Sequence, residues 1–190
     1  MNKYHILVVE DDKNIRSLMQ TILSSNGYAV LTAQTGEEAM MMVTSHCPDL
    51  VLLDLGLPDM DGQSFLKRVR SWSQVPIIVV SARMHERDKV LSLDLGADDY
   101  ITKPFGTSEL LARVRTALRH AAQRVGAEGG QSYVCGDLTV DWERRRVLRG
   151  GEDIHLTQNE YKIVALLAQN AGKVMTYDQI IQHVWGPNAA

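Results

Sequence analysis

Five short runs of β-favouring apolar residues, each followed by a stretch with helical periodicity, fill residues 1–121 and limit the fold more than any other feature. The runs are residues 4–9, 28–33, 50–53, 77–80 and 100–101. After the first, Ile15, Leu18, Met19, Ile22 and Leu23 share one helical face, and Gly27 is a helix stop. Residues 37–45, 62–72, 86–95 and 107–121 read as the other helices. Strands this short and uniformly apolar need cover on both faces, which β-α-β crossovers supply. The expected domain is α/β, a doubly wound five-stranded parallel sheet. In such a sheet functional groups gather at the carboxyl ends of the strands.

The residues at those ends carry chemistry. Glu10, Asp11 and Asp12 follow the first run, Asp54 the third, Ser81 the fourth and Lys103-Pro104 the fifth. Acidic residues after a strand commonly cap the next helix, and Asp12 is expected to do so. The whole set on one sheet edge calls for more than capping. Crowded carboxylates repel unless a cation joins them, and all-oxygen ligands with room for water suit Mg²⁺, with Mn²⁺ a possible substitute. A lone carboxylate can attack a phosphoryl group to give an acyl phosphate. That reaction needs a metal, a fixed cation and a hydroxyl for the phosphoryl oxygens. Asp11, Lys103 and Ser81 match these needs.

The segments ILVVEDD, LVLLDLGLPDMDG, PIIVVSAR and GADDYITKPF resemble, in order and spacing, the four sequence blocks of two-component response-regulator receivers. The resemblance implies that Asp54 accepts a phosphoryl group and that Asp11 binds Mg²⁺ directly. Glu10 would bind the ion through water and Gly56 through its backbone carbonyl. Ser81 and Lys103 would hold the phosphoryl oxygens, and Tyr100 matches the switch aromatic that turns inward as the Ser81 hydroxyl moves to the phosphate. It further implies a cis Lys103-Pro104 bond. Lys89, Asp98, Asp99, Glu109 and Arg113, flanking Val90 and Leu93, match a charge set that joins two receivers across the fourth helix, fifth strand and fifth helix. The partner of Asp98 in that set falls near Arg119 or His120. The three methionines Met40, Met41 and Met42 cannot share one helical face, so they are read as packing with one exposed.

Residues 122–132 are small and Gly-rich, which predicts a linker. Beyond it, residues 133–141 and 146–156 read as antiparallel strands around a Gly150-Gly151 turn. Thr157-x-x-Glu160 and Thr176-x-x-Gln179 are capping boxes opening two helices. HLTQNEYKIVALLAQNAGKVMTYDQIIQHVWG resembles the start of an OmpR/PhoB-type winged-helix DNA-binding domain, here residues 133–190. The family's recognition helix and wing are not found before Ala190. The incomplete winged helix is therefore expected to bind operator DNA poorly and to expose Ile180, Ile181, Val184 and Trp185. Within that family the wording is closest to the branch controlling potassium-transport genes with a KdpD-like sensor histidine kinase. The implied partners are such a kinase, a second copy on phosphorylation, and promoter DNA for a full-length relative.

Composition narrows the alternatives. Residues 1–121 hold 13 basic and 15 acidic side chains and residues 122–190 hold 7 and 8, so neither half has the excess charge of a nucleic-acid-coating protein. No apolar run is long enough to span a membrane, and no secretion signal is expected from the opening residues, which pass straight into a strand-like run. A cytoplasmic protein is expected. Cys47 and Cys135 lack CxxC spacing and are read as reduced and structural. The six histidines never fall at i, i+4, which argues against zinc. A phosphohydrolase with an aspartyl nucleophile would need an acid two residues after Asp54, where Gly56 stands, so no enzyme activity beyond self-phosphorylation and dephosphorylation is expected. A phosphorylation-gated interaction module without DNA binding is the alternative, separated by gel shift.

Overall fold

The computed structural model describes residues 3–126 and 132–186, residues 124–126 by their backbone alone. The chain divides into two compact units, Lys3–Leu118 and one beginning at Arg119.

In the first unit, β1 (His5–Val9), β2 (Ala29–Ala33), β3 (Leu50–Leu53), β4 (Ile77–Ser81) and β5 (Asp99–Thr102) form one sheet in the order β2-β1-β3-β4-β5. All its pairings are parallel. The helices are α1 (Lys13–Ser25), α2 (Gly36–His46), α3 (Gly62–Arg70), α4 (Glu86–Asp94) and α5 (Thr107–Gly126). The doubly wound fold follows from alternation along the strands. Ile6, Val8, Leu50, Leu52, Ile78 and Val80 pack with Met19, Leu23, Leu110 and Val114 of α1 and α5. Leu7, Val9, Val51, Leu53, Ile77 and Val79 pack with Ala39, Val43, Phe65 and Val69 of α2 and α3. With both faces covered, every residue of β3 and β4 is buried. Met40 and Met42 lean on the second cluster while Met41 is exposed.

The second unit carries β6 (Ser132–Cys135), β7 (Leu138–Asp141), β8 (Arg146–Arg149) and β9 (Glu152–Asp153), an antiparallel sheet in sequence order. It is followed by α6 (Gln158–Gln169) and α7 (Tyr177–Trp185). Val140, Trp142, Val147, Tyr161 and Ala165 form its core. This is the sheet and helix pair of a winged-helix-like domain.

Several expectations are corrected. The helix read as ending at residue 121 runs to Gly126, because Ala121, Ala122 and Gln123 are good helix formers and Gly126 is the first breaker. Residues 122–126 are thus helical; 127–131 lie outside the described residues. The strand read over 133–141 is a hairpin, turning at Gly136 with φ of 60°. Cys47 is buried but Cys135 is exposed, on an edge strand. The α7 stripe is better covered than expected: Val184 is buried and Ile180, Ile181 and Trp185 are half-buried, since α7 packs on α6.

Candidate functional site

The carboxyl ends of β1, β3, β4 and β5 lie on one edge of the first unit's sheet. The ladder sets the relative heights: the Asp54 N–H donates to Val9 O at 2.9 Å, and the Lys103 N–H donates to Ser81 O at 2.9 Å. Glu10, Asp11 and Asp54 thereby bring carboxylate oxygens within 4.8 Å of one another. Glu10 and Asp54 are buried and Asp11 is exposed, so the cluster opens to solvent on one side.

Lys103 is the fixed cation of this cluster. Its Nζ lies 2.6 Å from Glu10 Oε2 and 3.5 Å from Asp54 Oδ1. Burial pushes the Glu10 carboxyl above its ordinary value, Lys103 opposes the shift, and the Asp54 charge adds to it. A site that disfavours a second negative charge this way gains from a divalent cation. Three carboxylates and no sulfur or imidazole fit a hard ion such as Mg²⁺. Asp12 belongs to α1 instead, as expected of an N-cap: its Oδ1 accepts from the Asn14 and Ile15 N–H groups at 2.8 and 3.0 Å. Arg16 braces the loop from below, donating to the carbonyls of Glu10 and Asp11 at 2.7 and 3.0 Å.

Ser81 is buried, and its Oγ accepts from the Arg83 N–H at 3.2 Å. The Tyr100 hydroxyl donates to Arg83 O at 2.8 Å, and burial raises this phenol above its ordinary value. The Lys103-Pro104 bond is cis.

Two participants escape a reading of the sequence. Arg83 pairs with Asp61 at 2.9 Å and with Asp88 at 3.8 Å, and it reaches Leu55 O at 3.4 Å. It thus ties the loop after Asp54 to α4. Gly62 is required by close approach, since a Cβ there would lie 2.6 Å from Asp54 O and 2.7 Å from Leu55 Cα. PIIVVSAR and LPDMDG contain both residues, but their roles arise only from tertiary contacts.

The residues expected at a dimer face are partly gathered. Val90, Leu91 and Leu93 of α4 are 49%, 46% and 46% exposed. Arg113 pairs within the chain with Asp99 at 2.7 Å and Glu109 at 3.0 Å, and Lys89 Nζ lies 6.0 Å from the centre of the Tyr100 ring. Asp98 touches α3 and β4: its Oδ2 accepts from Arg70 at 3.0 Å and from the Ile77 N–H at 2.9 Å. The reason is its place just before β5, beside the C-terminal end of α3.

Comparison with known proteins agrees with this layout. Residues 6–115 match the family described as response regulator receiver domain, and residues 151–190 match transcriptional regulatory protein, C terminal. The chain is similar to the KDP operon transcriptional regulatory protein KdpE of Escherichia coli K12, 45% identical over 185 residues, covering 97% of this chain and 81% of the relative. KdpE of Mycobacterium tuberculosis H37Rv is 43% identical over 183 residues, covering 96% and 80%. Among solved structures, the Thermotoga maritima OmpR/PhoB homologue DrrB is 31% identical with a TM-score of 0.55, covering 98% of this chain and 82% of that one. The BeF3-activated receiver domain of Klebsiella pneumoniae RstA is 36% identical with a TM-score of 0.59, covering 60% and 98%.

Proposed function

The chain belongs to the two-component response regulators that join a receiver domain to a DNA-binding C-terminal domain, and from that premise we propose that it is switched by phosphorylation of Asp54. The observation that carries the reading is the convergence of Glu10, Asp11, Asp54 and Lys103 at one sheet edge. An Asp54 carboxylate oxygen attacks phosphorus, and the bond from phosphorus to its donor breaks. The donor is a histidine imidazole of a sensor kinase or the acetate of acetyl phosphate, and it leaves with the bonding electron pair. Lys103 and the Ser81 hydroxyl take the non-bridging oxygens. Glu10, Asp11, Asp54 and the Gly56 carbonyl would hold Mg²⁺, which when bound neutralises charge developing on the phosphoryl oxygens. We assign the chain no other catalysis.

The partner kinase is then KdpD-like and the regulated genes are those of potassium transport, a reading supported by the similarity to two regulators named KdpE, one of them named for the KDP operon. No described helix is long and apolar enough to cross a membrane. We place the protein in the cytoplasm because a regulator with a DNA-binding C-terminal domain works where the DNA is. Incubation with acetyl phosphate and Mg²⁺ should raise the intact mass by about 80 Da, one phosphoryl group. Asp54→Asn, or excess EDTA, should abolish the gain. An unchanged gain in either case would remove Asp54 and the metal from the mechanism.

A further inference from the structure

The loop between β3 and α3, residues 54–61, carries Gly56, and its two ends are fixed locally. The Gly62 N–H donates to Leu55 O at 3.0 Å, and Gly56 and Asp61 form an isolated antiparallel bridge. The tip is held from outside. The Gly36 N–H donates to Asp59 Oδ1 at 2.8 Å and the Glu37 N–H donates to Asp59 Oδ2 at 2.9 Å. These are first-turn donors of α2, which have no partner inside their own helix. Thr35, the helix's own cap, serves only the next one, Glu38, at 3.1 Å. Asp59 therefore completes the cap of a helix that begins 23 residues earlier in the chain. The contact is close: a Cβ on Gly36 would lie 2.5 Å from the Met60 side chain, which packs against the core beneath α2.

Gly56 lies against the acceptor, since a Cβ there would sit 3.5 Å from Asp54 Oδ2. A loop pinned at both ends and at its tip presents the Gly56 backbone to that carboxylate in one place. We propose that Asp59 is a positioning residue for the metal site: by tying the loop to the first turn of α2 it fixes the Gly56 carbonyl beside Asp54. The inference rests on the reading of Asp54, Asp11 and Gly56 as Mg²⁺ ligands. Asp59 touches no reacting atom and acts through the loop. Outer groups that orient metal ligands commonly govern affinity in this way.

Mg²⁺ affinity, measured by isothermal titration calorimetry on the whole chain, separates this role from simple support of α2. Asp59→Ala should weaken Mg²⁺ binding by roughly tenfold, the lower end of the range for such outer partners. Acetyl phosphate should then modify it at near the wild-type rate once Mg²⁺ is saturating. Asp59→Asn, which keeps one acceptor oxygen, should recover part of the affinity. Thr35→Ala frays the same helix end without touching the loop; it should lower the melting temperature and leave Mg²⁺ affinity unchanged. Equal Mg²⁺ affinity in wild type and Asp59→Ala, or equal losses in Asp59→Ala and Thr35→Ala, would overturn the proposal. A wild-type chain that neither binds Mg²⁺ nor gains a phosphoryl group would overturn the functional reading, and the inference with it.

Discussion

Lys103 stands between two carboxylates that it serves unequally, 2.6 Å from Glu10 and 3.5 Å from Asp54. Its charge offsets their mutual repulsion in a half-closed site. Removing one member of a buried charge set leaves the others uncompensated, a larger loss than breaking a surface pair. Lys103→Met keeps an unbranched side chain one atom shorter and deletes the charge. It should cost between about 1 and about 3 kcal/mol of stability in EDTA, intermediate between exposed and buried pairs. A divalent cation that binds only the native site adds stability by mass action, so the loss should shrink when Mg²⁺ is present at millimolar concentration. Urea melts of both proteins with and without Mg²⁺ check this. A loss unaffected by Mg²⁺ would mean that Lys103 stabilises the fold independently of any metal held by these carboxylates. At this scale the sequence singles out Glu10, Asp11, Asp54, Ser81 and Lys103 as candidates, since each lies within two residues of the end of an apolar run. Asp59 is illegible because an aspartate after proline in a loop reads as an ordinary turn residue. Only the fold brings it to the amides of Gly36 and Glu37.

Elements whose ends are written in side chains are the ones a reader of the sequence recovers. Both C-terminal helices open where Thr157-x-x-Glu160 and Thr176-x-x-Gln179 place them, and both capping boxes are formed in full. The strands of the first sheet are legible because burial on both faces demands unbroken apolar runs. The β6–β7 hairpin is missed because its turn is the short Gly136-Asp137 step within a run of β-favouring residues. The far end of α5 is missed because its alanines carry no stop signal. The box at α6 gives a stability prediction with a definite sign. The Thr157 N–H donates to Glu160 Oε2 at 2.8 Å, and this holds the Glu160 carboxyl below its ordinary value of 4.5. A depressed acid contributes stability that is present above the unfolded value and lost as pH falls through the folded one. Acidification below about 4.5 should therefore loosen α6, and Glu160→Gln should remove that part of the pH dependence. Thr157→Ala should cost about 1 kcal/mol at neutral pH. Helix content followed by circular dichroism against pH tests both, and identical acid transitions in wild type and Glu160→Gln would count against the box.

At the scale of the whole molecule the unexplained feature is α4, whose one buried residue is Ser92. Val90, Leu91 and Leu93 face solvent, and Met84 just before the helix is 72% exposed. Apolar surface gathered on one helix and rimmed by charge marks an interaction face, and a second copy brings the same face with complementary signs. A two-fold interface uses each contact twice, so one substitution there counts double. We therefore expect the chain treated with beryllofluoride to dimerise through α4, β5 and α5. Leu93→Asp should prevent the dimer yet leave the unactivated monomer within about 0.5 kcal/mol of wild type, as for most surface changes. The charged rim needs a subtler test, because Arg113 already binds Asp99 and Glu109 inside the chain. Arg113→Glu alone sets three carboxylates together, and it should weaken the activated dimer. Adding Asp99→Arg restores one pair of opposite charges, within the chain and across the two-fold alike, and should recover part of the association. Multi-angle light scattering reads the mass directly. If Leu93→Asp forms the same activated dimer as wild type, α4 is not the interface, and its exposed leucines and valine await another partner.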